Sequence, residues 1–408
     1  MPNPPLLDPV ETLAQLVAVP SVNPMGRSVS GPPFGEDRLT DHLEELLGRL
    51  GLRTERQPVA PGRENLLARL DGDPPPDRGG RVVLLDAHQD TVPVEGMSIE
   101  PFVPEIRHGR LYGRGSCDTK GGMAAILAAL SRLVAERPSG MPTLLVSCTV
   151  NEEYGFTGAE ALTSLWESHG TTIVPCRPHA AVVAEPTGLD VVVAHKGVVR
   201  WRCHTTGRAC HSARPADGVN AIYRMAPVLA AIERYCRQEL DQRPVHPLCG
   251  PPTLSVGTIC GGTSVNTVPD RCTIEIDHRL PPGQSPDASR QQVIDSLDQA
   301  LGGSGSLQHD PLSMRGLALA DEANGVVAET LAALVRATAG ECRRVGVPYA
   351  TNAAFYAAAG VPSVVFGPGH LDQAHTKDEW LPLDQLRQAT EIFYRFCLAP
   401  EKGVSRAL

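Results

Sequence analysis

Apolar runs of strand length alternate with helix-length amphipathic segments along most of the chain. Val82–Leu85, Thr143–Val150 and Ala180–Ala184 are predicted to be strands buried on both faces of a sheet, because their apolar runs scarcely alternate with polar residues. Residues 37–50 carry leucines at helical spacing and end at Gly51, which predicts a helix. This alternation predicts an α/β domain built on a mixed sheet.

Several further elements belong to the same domain. Asp8 precedes Pro9 in the pattern of an N-cap followed by a first helical residue, so a helix begins there. The other predicted elements are helices at Met123–Leu133, Val326–Ala337 and Asp384–Cys397 and a strand at Ser363–Phe366.

The pattern changes near His195. The segments that follow are predicted as a strand, a helix, two strands, a helix and a last strand, at Gly197–His204, Val219–Cys236, Thr253–Cys260, Arg271–Arg279, residues 287–301 and near Ser306. This order is the split βαβ pattern of a small α+β domain. We therefore expect residues 196–312 to be an insertion in a catalytic domain formed by residues 1–195 and 313–408, and 408 residues suit two domains.

Charge and cysteine content narrow the class of protein. The net charge of −9 argues against a nucleic-acid or anionic-membrane partner. The eleven cysteines show no CxxC pair, which favours free thiols in a reducing compartment. No leader pattern opens the chain and no apolar run reaches the length of a bilayer span, so we expect a cytoplasmic protein with no membrane contact.

Polar residues follow the predicted strand at Val82–Leu85. His88 and Asp90 lie at its carboxyl end, where open α/β sheets bind ligands. Residues two apart in extended chain point to the same side, so the Asp90 carboxylate is expected to contact the His88 imidazole and leave the other ring nitrogen for a metal. The alternative for this pair taken alone is an ordinary polar loop.

Similar polar groups follow the other strands. Glu152 and Glu153 follow one strand; adjacent residues face opposite ways, so one can bind a metal while the other faces a reacting group. Glu185 follows another strand, and a late loop contains His370 and His375. The glutamate pair could instead be a solvated loop, but the coincidence of all these groups at one predicted sheet edge favours a site.

Asp118 lies in a glycine-rich loop before a predicted helix. Its alternative role is that of an N-cap. With Glu153 and Glu185 it would supply three negative charges, and a hydroxide between the metals a fourth, which balances two divalent cations. Imidazole and carboxylate donors without thiolate suit zinc, with cobalt or manganese as alternatives. Two such ions about 3.5–4 Å apart would activate a water.

The order of these motifs resembles a known family. The motifs are His-x-Asp at 88–90, Gly-Arg-Gly-x-x-Asp-x-Lys-Gly-Gly at 113–122, Glu-Glu-x-Gly at 152–155, Ala-Glu-Pro-Thr at 184–187, and Gly-Pro-Gly at 367–369 followed by Ala-His-Thr at 374–376. The chain resembles the two-zinc aminoacylase and carboxypeptidase family, which includes acetylornithine deacetylase and succinyl-diaminopimelate desuccinylase. The resemblance covers nearly the whole chain.

The resemblance implies two metal ions that share one carboxylate. His88, Asp118 and Glu185 would bind one ion, and Asp118, Glu153 and His375 the other. His375 is preferred to the nearby histidine at 370 because it occupies the Ala-His-Thr position.

The resemblance also implies the remaining catalytic roles. Asp90 would support His88, and Glu152 would be the general base that deprotonates a hydroxide-forming water between the metals. His211, in a Gly-x-x-x-His-Ser-x-x-Pro segment, would help to hold the oxyanion, often in a neighbouring subunit's active site. An exposed loop histidine is the alternative for His211.

Substrate contacts are implied at three further positions. Asn266 and Arg279 match positions that contact the carbonyl or carboxylate of substrates in relatives, although turn and strand-edge polarity would also explain them. Gly369 is expected to lend a backbone group to the substrate. The chain departs from the family at Asn151 and Asn352, where relatives commonly have aspartate.

Together these features predict a metal-dependent hydrolase that cleaves the amide bond of a small N-acyl amino acid. A dipeptidase or carboxypeptidase of the same mechanism is the alternative within this chemistry. An alternative of another class is a non-catalytic binding protein on a decayed hydrolase scaffold. The resemblance further implies a homodimer formed through the inserted domain.

Overall fold

The computed structural model describes residues 5–167, 171–303 and 307–399. It divides into two compact units. The first comprises Met1–Val193, Asp321–Val345 and Thr351–Leu408, and the second comprises Ala194–Ala320 and Gly346–Ala350.

The observed boundaries of the insertion differ from residues 196 and 312. The second unit extends to residue 320 and also includes residues 346–350. Lys196 donates a backbone hydrogen bond to Val347 over 3.1 Å, and Gly346 lies so close to Leu248 that a Cβ would approach its backbone to 2.6 Å. These contacts join the later segment to the insertion, and sequence spacing does not reveal them.

Nine α-helices lie in the described part of the chain. They are α1 Pro9–Ala18, α2 Asp37–Arg49, α3 Lys120–Glu136, α4 Thr157–Glu167, α5 Ala221–Tyr235, α6 Pro286–Ala300, α7 Gly325–Ala339, α8 Ala353–Ala358 and α9 Leu383–Leu398. Among these described helices, none combines the length and hydrophobicity needed to cross a membrane.

Seventeen strands lie in the same described ranges. They are β1 Arg53–Ala60, β2 Arg63–Leu70, β3 Val82–His88, β4 Glu105–Arg107, β5 Arg110–Tyr112, β6 Thr143–Thr149, β7 Ala180–Val183, β8 Val191–His195, β9 Gly197–Thr206, β10 Cys210–His211, β11 Thr253–Gly261, β12 Thr267–Val268, β13 Arg271–Leu280, β14 Leu307–Gly316, β15 Arg344–Val347, β16 Ser363–Val365 and β17 Trp380–Pro382.

The large sheet has the order β1-β2-β6-β3-β7-β16-β8-β15. Its centre is parallel, since β3 pairs in parallel with β6 and β7, and β7 pairs in parallel with β16. The pairs β1/β2, β2/β6 and β16/β8 are antiparallel. The predicted mixed α/β sheet is therefore confirmed.

Local sequence explains how the first unit's elements form. The Asp8 carboxylate accepts hydrogen bonds from the backbone of Val10 and Glu11 at 2.8 and 3.0 Å, which caps α1 as predicted. Every residue of β3 and β6 is buried, as the continuous apolar runs indicate. The apolar helix α3 packs against α1, α9 and β3, so the carboxyl ends of the central strands rest on a rigid core.

The second unit contains a four-stranded antiparallel sheet of order β11-β13-β9-β14. Alternate residues of β13 are buried, and they face a core shared with α5 and α6. The predicted α+β pattern is confirmed. The residue named for the last predicted strand, Ser306, lies outside the described residues, and β14 begins at Leu307.

Candidate active site and metal centre

The parallel strands bring three of the predicted segments to one edge of the large sheet. His88, the last residue of β3, lies opposite Thr149, the last residue of β6. β7 runs parallel to β3 and ends at Val183, just before Glu185. The segment with Glu152 follows β6, so sheet register accounts for this convergence.

Asp118 lies between the two predicted histidines. Its Oδ1 atom is 3.0 Å from His88 Nε2, and its Oδ2 atom is 3.3 Å from His375 Nε2. Glu185 Oε1 is 3.9 Å from His88 Nε2, and Glu153 Oε2 is 3.2 Å from His375 Nε2. The five residues expected to bind metal thus form one cluster, with Asp118 at its centre.

The cluster has the donor atoms that divalent cations require. Candidate donor atoms of His88, Asp118 and Glu153 lie within 4.8 Å of one another, and so do those of His88, Glu152 and Glu185. Buried charges are costly unless they are paired or bind metals. Nitrogen and carboxylate donors without thiolate therefore fit hard or borderline divalent ions here.

Burial sets the electrostatics of the carboxylates. It raises the pKa of Glu152 and of Glu185 well above the ordinary value. Burial alone would also raise the pKa of Asp118, but hydrogen bonds with His375 and His88 hold it well below its usual range. Asp118 therefore supplies negative charge at the centre of the cluster, and Glu152 is a nearby carboxyl that holds a proton readily.

His375 is the exposed member of the cluster. Its side chain is 50% exposed, whereas that of His88 is 1% exposed. Burial lowers the pKa of His375, but the hydrogen bonds with Asp118 and Glu153 raise it to about 11. The cluster is therefore open to solvent on the His375 side. His370, by contrast, pairs with Asp372 on the surface, as expected for a loop residue.

Asp90 contacts His88 differently from the prediction. His88 Nδ1 lies 2.9 Å from the backbone carbonyl oxygen of Asp90 and 3.8 Å from its carboxylate. The carboxylate instead accepts hydrogen bonds from the backbone N–H groups of Glu152 and Glu153, both at 3.1 Å, and from Asn23 at 2.7 Å. The alternation rule fails because β3 ends at His88. Asp90 holds the glutamate pair through its side chain.

A buried ion pair beside the glutamate pair was missed in the sequence. Glu36 is fully buried, and Arg63 donates to both of its carboxylate oxygens. Arg63 also donates to the side chain of Asn151 over 2.7 Å, and the Asn151 backbone N–H lies 3.2 Å from Glu36 Oε1. Asn151 adopts a positive φ of 61°, which asparagine tolerates well. The pair fixes the turn that precedes Glu152.

The second departure, Asn352, contacts the two strands that end at His88 and Thr149. Its side-chain amide donates to Asp86 over 3.0 Å and to Thr149 over 2.9 Å. Asp86 is fully buried, and Ser147 also donates to it. A charged residue inside an otherwise apolar strand run was the available signal for Asp86. The amide at 352 gives this buried carboxylate a donor.

Gly369, which was expected to lend a backbone group to the substrate, has its N–H engaged within the protein. That N–H donates to the side chain of Gln385 over 2.8 Å. Gly369 has a φ of 87°, and a Cβ there would lie 2.5 Å from the sulfur of Cys117. Close packing against the loop that carries Asp118 is the reason for glycine at this position.

The three other predicted residues lie in the second unit. His211 is exposed on β10, opposite Thr267 of β12, and Asn266 accepts a backbone hydrogen bond from Ser212 over 3.0 Å. His211 and Asn266 are therefore neighbours. Arg279 lies on β13 and forms an ion pair with Asp277 at 2.7 Å.

Comparison with known proteins decides the family. The sequence profile of the peptidase family M20/M25/M40 matches residues 84–399. The chain belongs to this family. The M20 enzyme is a metal-dependent hydrolase of amide bonds, and the cluster around Asp118 is its candidate metal centre.

Relatives and solved structures extend this likeness over nearly the whole M20 enzyme. Acetylornithine deacetylase of Pasteurella multocida (strain Pm70) is 32% identical over 397 residues, which cover 94% of this chain and 95% of that protein. An M20 family metallo-carboxypeptidase from Sulfolobus solfataricus superposes with a TM-score of 0.76 at 17% identity, covering 96% of this chain and 98% of that one. A Bacillus subtilis protein described as a dinuclear metal binding peptidase from the M20 family gives 0.65 at 15% identity, with 96% of each chain covered. The two structures show the shared fold.

Proposed function

We propose that this M20 enzyme is a deacylase that cleaves the amide bond of a small N-acyl amino acid, similar to acetylornithine deacetylase or succinyl-diaminopimelate desuccinylase. The observation that carries the proposal is the position of Asp118 between His88 and His375, with the buried carboxyl of Glu152 beside them. The full-length relative from Pasteurella multocida supports the choice of a deacylase.

Two divalent metal ions are part of this proposal. His88, Asp118 and Glu185 would hold one ion, and Asp118, Glu153 and His375 would hold the other. Zinc is the proposed metal, with cobalt or manganese as alternatives, because the donors are imidazole and carboxylate. When bound, such ions polarise a carbonyl and lower the pKa of water.

Glu152 is the proposed general base. Its buried carboxyl has a raised pKa, so it can take a proton from the attacking water at its carboxylate oxygen and return that proton to the leaving amine nitrogen. Asp90 accepts the backbone N–H of Glu152 over 3.1 Å and so fixes where that carboxyl lies. His211 would donate to the oxyanion, and Asn266 and Arg279 would contact the substrate.

Exchange of Glu152 for glutamine tests the proposal. We expect Glu152→Gln to keep its bound metal and to lose activity by about 10²–10⁴-fold, since the amide has the same shape but cannot take the proton. Metal content by elemental analysis and initial rates on N-acetyl amino acids provide the two measurements.

A matched control and a substrate panel complete this test. Glu160→Gln, which removes a charge from an exposed position of α4, should retain full activity. Near wild-type turnover in Glu152→Gln would overturn the assignment of the base. Faster hydrolysis of dipeptides than of N-acyl amino acids would favour the dipeptidase or carboxypeptidase alternative. Fewer than one bound ion per chain would favour a non-catalytic scaffold.

A homodimer through the second unit is also proposed. β11 is an edge strand of its sheet, and the residues from Thr258 to Gly261 are exposed. Tyr223 and Val265 are exposed apolar side chains of the same unit, at 77% and 100%. An uncovered strand edge with apolar neighbours favours pairing with a second copy.

A cytoplasmic location is proposed on the state of the cysteines. All eleven cysteines are free thiols, including exposed Cys260. Free thiols persist in a reducing compartment.

A further inference from the structure

One buried carboxylate outside the predicted site binds the loop that carries Asp118. Glu379 is fully buried and lies four residues after His375, directly before β17. It belongs to none of the motifs that carry the family resemblance.

The Glu379 side chain accepts four hydrogen bonds from one loop. Its Oε2 atom accepts from Arg114 Nη1 at 2.7 Å and from the backbone N–H of Gly115 at 2.9 Å. Its Oε1 atom accepts from the backbone N–H groups of Cys117 and Asp118, both at 2.9 Å. The backbone carbonyl of Glu379 accepts from Gly113 at 3.0 Å. Loop 113–118 thus closes around one carboxylate.

The loop makes further backbone hydrogen bonds, from Arg114 to Pro101 over 2.8 Å and from Ser116 to Gly113 over 3.1 Å, but it also contains two glycines in unusual conformations. Gly113 and Gly115 have φ angles of 149° and 80°, which only glycine adopts readily. Arg114 is the loop's one long side chain in this carboxylate contact, and it also donates to the backbone oxygen of Pro93 over 3.1 Å. Because glycine loses much conformational freedom on ordering, a partner for this loop reduces the entropy that metal binding must overcome.

Glu379 also links the two chain segments that carry Asp118 and His375. Asp118 follows the loop directly, and its two oxygens face His88 and His375. His375 precedes Glu379 on the same segment, and β17 then pairs with β5, Trp380 opposite Tyr112. The Glu379 side chain therefore accepts from the backbone of Asp118, and Glu379 itself lies on the segment that carries His375.

We propose that Glu379 is a positioning residue of the metal centre, which holds Asp118 and His375 at the separation that a shared pair of cations requires. The inference rests on the proposed function. In the absence of cations the clustered carboxylates of Asp118, Glu153 and Glu185 repel one another, and the contacts of Glu379 oppose their separation. Loss of the Glu379 carboxylate should weaken metal binding more than it destabilises the fold.

The exchange Glu379→Gln tests the inference at nearly constant size. The amide oxygen can still accept from Cys117 and Asp118, but the amide NH₂ would face two donors, Arg114 and the N–H of Gly115. We expect metal affinity to fall by about 10–100-fold, the range typical of residues that orient metal ligands. Titration with zinc against a chelator measures the affinity, and the absorption spectrum of the cobalt-loaded protein reports ligand geometry.

Three matched variants separate positioning from general stability. Glu379→Asp keeps the charge and should bind metal more tightly than Glu379→Gln, and it serves alone if the glutamine variant does not fold. Glu391→Gln removes a carboxylate that pairs with Arg132 and Arg395, and Ile392→Val trims a fully buried side chain of α9. Both of these should keep wild-type metal affinity.

The outcomes are distinguishable. Wild-type affinity and an unchanged cobalt spectrum in Glu379→Gln would overturn the inference while the proposed function stands. An equal loss of affinity in Ile392→Val would also overturn it, because the effect would then follow stability alone. Failure of the wild-type chain to bind two ions would count against the proposed function itself.

Discussion

The two units hold their candidate functional residues in opposite ways. In the first unit, His88, Asp118 and Glu185 are buried and in contact at the edge of a parallel sheet. In the second unit, His211 is exposed on a two-residue strand and Arg279 is paired with a neighbour on its own strand. The residues of the first set contact one another within one unit. The residues of the second set are single groups, whose proposed roles require a substrate to contact.

This difference indicates which kind of site local structure can assemble. Parallel strands deliver their carboxyl ends to one edge, so the residues after β3, β6 and β7 had to meet. No comparable rule governs an exposed histidine such as His211. Its proposed role depends on which residues and substrate groups lie near it in the assembled enzyme.

Among variants that test this difference between the units, the largest loss of activity is expected at His211. Loss of one oxyanion donor typically costs about 10²–10³-fold in kcat, so His211→Ala should fall within that range while binding metal normally. If His211 acts in a neighbouring subunit, mixing this variant with Glu152→Gln should restore activity, because a hybrid dimer contains one intact site. Rates of the mixture after subunit exchange provide the measurement.

Two results would contradict that scheme. A monomer by light scattering that is fully active would exclude action across subunits. No recovery in hybrid dimers, verified by differently tagged chains, would place His211 in the site of its own subunit.

A smaller effect is expected within the first unit, at Asp90. Its carboxylate holds the N–H groups of Glu152 and Glu153, so Asp90→Asn would turn an amide NH₂ toward one of these donors. We expect kcat to fall by about 10–100-fold at saturating metal. Asn23→Ala removes one donor to Asp90 and should show a weaker effect of the same sign.

The alternative outcome for Asp90 is specific. Full kcat at saturating metal, with only metal affinity reduced, would mean that Asp90 acts through His88 and not through the glutamate pair. Steady-state rates across a range of zinc concentrations distinguish the two.

The smallest expected effect concerns His278 in the core of the second unit. Burial and the charge of Arg243 lower its pKa to about 4, and in the described residues neither ring nitrogen has a hydrogen-bond partner. In the unfolded chain this imidazole takes up a proton near pH 6.5, whereas in the folded chain it stays neutral until about pH 4. The contribution of His278 to the free energy of unfolding is therefore present above pH 6.5 and is lost as the pH falls toward 4. Between pH 7 and 5.5 this side chain should account for about 1 kcal/mol of lost stability.

Denaturant unfolding at the two pH values tests this sign. His278→Leu should lose about 1 kcal/mol less than the wild type between pH 7 and 5.5. His370→Leu, at a position whose side chain is 63% exposed, should lose as much as the wild type. Identical losses in all three proteins would show that His278 titrates alike in the folded and unfolded chains.

Sequence reasoning was strongest where periodicity and strand ends determine geometry. The central strands, the capped helix α1 and the convergence of His88, Glu152 and Glu185 follow from local patterns. Short elements such as β17 and α8 were not predicted, because three to six residues show no clear hydrophobic period.

Long-range polar contacts could not be predicted for a different reason. Glu379 and Asp118 are 261 positions apart, and Arg63 and Asn151 are 88 positions apart. Nothing in the local sequence says that these side chains will meet. The carboxylate of Asp90 lies closer to the backbone of the glutamate pair than to His88, because the strand ends at His88 and its alternation does not continue to Asp90.

The buried contact between Asp86 and Asn352 restricts how this enzyme can be recombined with its relatives. The two residues are 266 positions apart, yet a hydrogen bond joins their side chains. A chimera that takes the segment around 352 from a parent with aspartate there would place two carboxylates face to face in the core. Crossover points must therefore transfer strand β3 and the segment around Asn352 together, as a single inherited block.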